Sequence, residues 1–161
     1  MQHNNVKYFY LLMIFLLSAN FLWAQKVPKI SFDGRVSDQF SNQPIGSVTI
    51  TVMKNGSVVE TKSTNTNGKY KLGPFDLGAN YTIKFTAAGY VSKYIEVNVT
   101  DYNAQEAYEK YDIPFDITIF KTVPNVDFSL LNNKPIAILK YNNKTSEVDW
   151  DMKKLKKKRN G

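Results

Sequence analysis

The sequence predicts an all-β, antiparallel β-sandwich. Three observations carry that expectation. Apolar and polar residues alternate with period 2 through many short runs, as they do in a strand with one buried face. Asn-Gly and other glycine-containing turn signals separate the runs. The turns recur about every 8–12 residues, the spacing of a sandwich built from short strands.

In chain order, Ile30, Phe32 and Val36 alternate, with Gly34 between them. Val48, Ile50 and Val52 alternate and run into Lys54-Asn55-Gly56, after which Val58 and Val59 begin a return strand. Asn-Gly between two apolar runs is the strongest local hairpin signal, because a tight turn needs backbone with positive φ. Asn67-Gly68 marks a second turn before Tyr70 and Leu72, and Gly73-Pro74 is expected to break the chain. Gly78-Ala79-Asn80 turns into Tyr81, Ile83 and Phe85; Gly89 punctuates; Ile95, Val97 and Val99 then alternate. Residues 101–111 read as a short helix capped by Asp101, with Ala104, Ala107 and Tyr108 on one face. Strand character returns over 113–120 and 136–141, and Asn142-Asn143-Lys144 turns toward a last strand at 147–150. These runs predict one domain: a sandwich over 25–100 and a C-terminal strand extension, 101–151, packed on it.

Residues 1–24 have the parts of a secretory leader. Lys7 precedes an apolar run at 8–17, Ser18 and Asn20 interrupt its continuation, and Ala24 is a small residue at a cleavage position. The run is too short for the roughly 20 apolar residues that cross a bilayer. The expectation is therefore an exported protein, periplasmic or associated with an outer membrane. With no cysteine, disulfides and lipid attachment through cysteine are excluded.

The formal charge of +7 is unevenly placed. Setting aside Lys7 and the six cations Lys153, Lys154, Lys156, Lys157, Lys158 and Arg159 leaves 14 of the 21 basic residues, against 14 acidic ones. A neutral body thus carries a basic tail at 152–161. Such a tail can bind an anionic membrane surface; its other reading is a solvated helical turn. A neutral body lacks the broad basic face of a nucleic-acid binder.

The only histidine, His3, lies in the leader. The remaining chain has neither histidine nor cysteine, which removes Ser-His-Asp and Cys-His catalysis, histidine-ligated zinc and iron–sulfur clusters. No cofactor, metal or catalytic residue is expected. Asp149 and Asp151 stand two apart, short of the six or so oxygens calcium needs. Trp150, the one tryptophan after the leader, is the candidate for stacking on a sugar.

Four segments resemble the carboxypeptidase regulatory-like domain. Phe32-Asp33-Gly34-Arg35-Val36-Ser37-Asp38 is similar to its first strand, commonly Gly-x-Val-x-Asp, and Pro44-Ile45-Gly46-Ser47-Val48 to the entry of its second. Thr64-Asn65-Thr66-Asn67-Gly68-Lys69-Tyr70 resembles its Thr-x-x-x-Gly-x-Tyr turn, and Tyr81-Thr82-Ile83-Lys84-Phe85 with Gly89-Tyr90 its closing strand. The resemblance implies an Ig-like/transthyretin-like (prealbumin-like) sandwich. Such domains are accessory: they occur beside peptidases, at the front of outer-membrane receptors, and alone in small exported proteins of Gram-negative bacteria. The expected function is non-catalytic protein binding or scaffolding at the envelope, through an exposed strand edge. A carbohydrate-binding module of starch-binding-like fold is the alternative.

Overall fold

The computed structural model describes residues 26–151, with the exception of Asn133. The expected leader and the six tail cations lie outside the described residues.

The chain forms ten strands: β1 (Lys29–Asp38), β2 (Thr49–Lys54), β3 (Ser57–Ser63), β4 (Lys69–Asp76), β5 (Asn80–Thr86), β6 (Lys93–Asn98), β7 (Lys110–Pro114), β8 (Ile117–Ile119), β9 (Ala137–Asn142) and β10 (Glu147–Trp150). One helical turn, α1 (Ser129–Asn132), lies between β8 and β9. One sheet runs β4-β1-β7, with β8 also paired to β1; the other runs β10-β9-β6-β5-β2-β3. The alternating residues read from the sequence face each other between the sheets. Ile30, Phe32, Val36, Ile50, Val52, Leu72, Ile83, Phe85, Ile95 and Val97 are all buried. The result is the expected β-sandwich.

The hairpin expected at Asn55-Gly56 forms, β2 pairing antiparallel with β3; β2 with β5, β5 with β6 and β1 with β4 are antiparallel as well. Residues 101–151, expected to pack on the sandwich, enter it by hydrogen bonding. β7 and β8 pair parallel to β1, and β9 pairs parallel to β6, with β10 returning along β9. A parallel partner needs a long crossover, which the segments at 99–109 and 120–136 supply.

Three expectations are corrected. Residues 101–111 form no helix. Asn103, not Asp101, organises a single turn, its Oδ1 accepting the N–H of Gln105 at 3.1 Å and its carbonyl that of Ala107 at 2.8 Å. Tyr111 then pairs with Ile30, because the open edge of β1 takes Lys110–Pro114 as a strand. Gly73-Pro74 does not break the chain. It lies inside β4, where a register shift opposite Ile30 and Phe32 accommodates the residue without an N–H. The run at 113–120 is two strands, because the chain arches out of the ladder at Phe115-Asp116.

That arch rests on Gly34. Phe115 donates its N–H to the carbonyl of Asp33 at 2.8 Å, and its own carbonyl accepts the Tyr70 hydroxyl at 2.5 Å. Asp116 Oδ1 accepts the N–H of Arg35 at 2.7 Å. A Cβ on Gly34 would lie 2.1 Å from the carbonyl oxygen of Phe115. The glycine of the first-strand motif therefore admits the crossing backbone.

Thr64 does similar work for the motif's second and third segments. Its buried Oγ1 accepts the N–H of Val48 at 3.0 Å and donates to the carbonyl of Ile45 at 2.8 Å, tying the start of β2 to the end of β3. Thr64→Val keeps the shape and leaves both backbone groups without this partner. It is expected to lower stability by about 1–3 kcal/mol, read as a shift of the urea midpoint with unchanged slope.

Candidate binding surface

The outer strand edges were the expected docking surface, and each carries a device that opposes strand addition. On β3, Val59 is an unpaired bulge residue between the pairs Val52↔Glu60 and Met53↔Val58. The β4 edge is covered from β3: Glu60 Oε2 accepts the N–H of Gly73 at 3.1 Å, and Lys62 Nζ donates to the carbonyl of Lys71 at 3.1 Å. β7 ends in Pro114, and its outer residues Lys110 and Asp112 form an ion pair at 2.8 Å. β10 is four residues long and presents Glu147 and Asp149.

Trp150 is not a free platform. It points to the same side of β10 as Val148, which packs on the core, and its ring lies 5.3 Å from that of Phe115. Only 36% of it is exposed. Asp149 stands opposite Lys140 in the β9–β10 ladder, and Asp151 pairs with the Lys140 ammonium at 2.9 Å. Asp151, one of the two carboxylates weighed for calcium, is thus held by an ion pair to Lys140.

The surface that the sequence reading missed is one end of the sandwich. β1 and β8 finish there, β5 turns into β6 there, and the crossover after β8 starts there. Three loops meet: 39–48, 87–92 and 120–128. Asn42 donates its N–H to the carbonyl of Asp38 at 2.9 Å, and Asp38 its own to the carbonyl of Gln43 at 2.8 Å. Asp38 Oδ1 also accepts the N–H groups of Ser41 at 2.9 Å and Phe40 at 3.0 Å, and the Ser41 hydroxyl at 3.1 Å. These donors hold the Asp38 carboxyl below the usual carboxylate range, the Ser41 N–H most. The closed loop raises Phe40 into solvent, where 80% of it is exposed, the most of any large apolar side chain described.

Beneath it the rings of Phe40 and Phe120 meet edge to face at 6.4 Å, and those of Phe120 and Phe128 at 5.6 Å. The Lys93 ammonium sits 5.1 Å from the Phe120 centroid and donates to the carbonyl of Thr118 at 2.7 Å and to Gln39 Oε1 at 3.1 Å. Burial pushes its pKa down. Beside the Phe40 ring lies an open depression of about 520 Å³, lined by Pro44, Ile45, Tyr90, Lys121 and Val123 among others. The surface has an apolar knob, a shallow cleft and cations. An exposed aromatic beside a shallow cleft is the arrangement of a binding surface.

The carboxypeptidase regulatory-like domain family matches residues 31–108, from the third residue of β1 through the turn before β7. This stretch of the chain is a carboxypeptidase regulatory-like domain. No curated protein matches the chain. Among solved structures it is similar to a Bacteroides uniformis protein with a provisional carbohydrate-binding assignment, at 19% identity over 58% of this chain and 42% of that one, with a TM-score of 0.41. It is similar to the 5-hydroxyisourate hydrolase of Klebsiella pneumoniae, at 14% identity over 58% of this chain and 99% of that one, with a TM-score of 0.40. It is also similar to the minor pilin of Streptococcus agalactiae, at 13% identity over 63% and 48%, with a TM-score of 0.39. The chain spans less than half the length of the first and third of these. The likenesses concern strand arrangement alone and assign no activity.

Within the regulatory-like domain, the motif residues have structural roles. Gly34 and Gly68 admit backbone, Thr64 ties two strands, and Tyr70 and Tyr81 hold the carbonyls of Phe115 and Asp76. Phe40 lies between the first two motif segments and belongs to neither, so it is free to be specific to this protein.

Proposed function

We propose that this regulatory-like domain is an exported, non-catalytic docking module of the cell envelope, and that the Phe40 end is its contact surface. The observation that carries the reading is Phe40 itself. A large aromatic held in water by a closed loop loses little conformational freedom on binding, which is the property of an interface anchor. The blunted strand edges leave this end as the favoured surface. A pocket in an envelope protein and the headgroup layer of a bilayer both accept such a knob.

The test is a photo-crosslinking amino acid at position 40 of the chain expressed in its native envelope, with the same probe at exposed Val59 as control. Position 40 is expected to give a discrete adduct that position 59 does not. Diffuse labelling that is equal at both positions would sink the docking reading.

A further inference from the structure

Two Asn-Gly pairs form tight turns among the described residues, and their surroundings differ. In such a pair the glycine nitrogen can attack the asparagine side chain, because glycine has no Cβ to hinder the approach. Asn55-Gly56 joins β2 to β3 between the paired residues Lys54 and Ser57, at the end of the sandwich opposite Phe40. Its two residues have φ of +48° and +87°. Both are exposed, and nothing lies within 4 Å of a Cβ built on Gly56. The Gly56 N–H has no hydrogen-bond partner among the described residues. Asn55 itself is anchored to β5. Its N–H donates to the carbonyl of Asn80 at 2.9 Å, and its Oδ1 accepts the Asn80 N–H at 3.1 Å.

Asn67-Gly68 is held where the first pair is free. Gly68 is buried; its N–H donates to the carbonyl of Asn65 at 2.9 Å, and its carbonyl accepts the N–H of Val36 at 2.8 Å. A Cβ on Gly68 would lie 2.4 Å from the Val36 carbonyl oxygen, so this backbone is pressed against β1. Asn65 Oδ1 accepts the N–H groups of Asn67 at 3.0 Å and Lys69 at 2.9 Å. For the Gly68 nitrogen to attack, it must first give up its own bond and pull away from β1.

We infer that Asn55 is a site of self-modification by deamidation, and that the fold protects Asn67 from the same reaction. Hydroxide takes the Gly56 amide proton, the nitrogen bonds to Cγ of Asn55, and negative charge passes to Oδ1. That oxygen already accepts the Asn80 N–H, a fixed donor that stabilises the charge as it develops. The intermediate expels Nδ2, which leaves as ammonia with a proton from water, and a succinimide ring remains. Water then opens the ring. Breaking the bond from nitrogen to Cγ gives aspartate at position 55. Breaking the main-chain bond to Gly56 gives isoaspartate, with the backbone running through the former side chain. One water is consumed and one ammonia released, with no change of oxidation state.

The two products have different consequences for the hairpin. Aspartate keeps an oxygen for the Asn80 N–H and adds charge to that bond, which strengthens it. Isoaspartate lengthens the backbone of a two-residue turn whose twist is matched to β2 and β3, and so loosens both the turn and its tie to β5.

The test is peptide mapping by mass spectrometry of the full chain, aged in mildly alkaline buffer with and without guanidinium chloride. In the folded chain Asn55 is expected to react about tenfold faster than Asn67, the weight of the hydrogen bond that Gly68 must break first. In guanidinium chloride the two rates should converge, through a rise at Asn67. Asn55→Asp should keep the urea midpoint of the fresh chain, and chain rich in isoaspartate at position 55 should unfold at a lower one. Equal rates in the folded chain, or a faster rate at Asn67, overturn the inference. So does a rate at Asn55 that rises on unfolding as steeply as that at Asn67, since the folded turn would then protect both.

Discussion

Gly34→Ala should lower the stability of the full chain by about 3–5 kcal/mol, above the 1–3 kcal/mol usual for overpacking. The reason is what the new methyl meets. It would lie 2.1 Å from the Phe115 carbonyl oxygen and 2.6 Å from its carbonyl carbon. Those atoms are backbone, fixed by the Tyr70 hydroxyl and by the Phe115 N–H bond to Asp33, so no rotamer change relieves the overlap. Relief requires the arch at 115–116 to lift, which removes both hydrogen bonds and exposes Phe115. The informative comparison is Gly56→Ala. Gly56 has φ of +87° in the β2–β3 turn and nothing within 4 Å of a Cβ, so alanine there is strained but not crowded. That substitution should cost only about 1–2 kcal/mol. Urea denaturation of the two variants separates crowding from strain. If Gly34→Ala were no worse than Gly56→Ala, the arch would not be seated on Gly34.

The contrast shows what a single sequence reveals. Strand positions were legible because burial of one face writes itself as period-2 alternation: Val48, Ile50 and Val52, or Ile95, Val97 and Val99, need no knowledge of their partners. Tight turns were legible because Asn55-Gly56 and Asn67-Gly68 meet a backbone demand locally. Partners across a parallel ladder were not legible. Nothing in Lys110–Pro114 states that it lies beside β1, since that pairing is decided by which edge remains open after the hairpins form. The segment at 101–111 misled for a related reason. Its alanines and tyrosines have helical spacing, yet tertiary pairing of Tyr111 with Ile30 outweighs a weak local preference.

The candidate surface was illegible for a different reason. Phe40 breaks the alternation that identified everything else: it stands among Asp38, Gln39, Ser41 and Asn42, where only turn chemistry is visible. An apolar residue inside a turn-forming segment was the available signal. Trp150 drew attention as the one tryptophan after the expected leader, but its place opposite Leu139 on an inward-facing register makes it a rim residue of the core. Rarity drew attention to Trp150, while the turn context of Phe40 was a signal left unread.

Ending the chain after Thr100 should abolish cooperative unfolding altogether, although the deletion spares all four motif segments of the regulatory-like domain. Without the later residues β1 keeps β4 on one side and loses β7 and β8 on the other, and β6 loses β9. Six buried side chains go with them: Tyr111, Ile117, Ile119, Ile138, Leu139 and Tyr141. At about 1.5–3 kcal/mol for each buried aliphatic or aromatic side chain, the gross loss is comparable to the 5–15 kcal/mol that holds a domain folded. What remains would leave Ile30 and Phe32 facing water along an unpaired edge of β1, an aggregation-prone arrangement. Circular dichroism and urea denaturation of the 26–100 fragment beside the 26–151 chain decide the matter. A shallow transition with no baseline, or precipitation, is the expected behaviour of the shorter fragment. A sharp two-state transition in it would mean that the antiparallel sheets of 26–100 are self-sufficient and that the strands after residue 100 are an addition to a domain already complete.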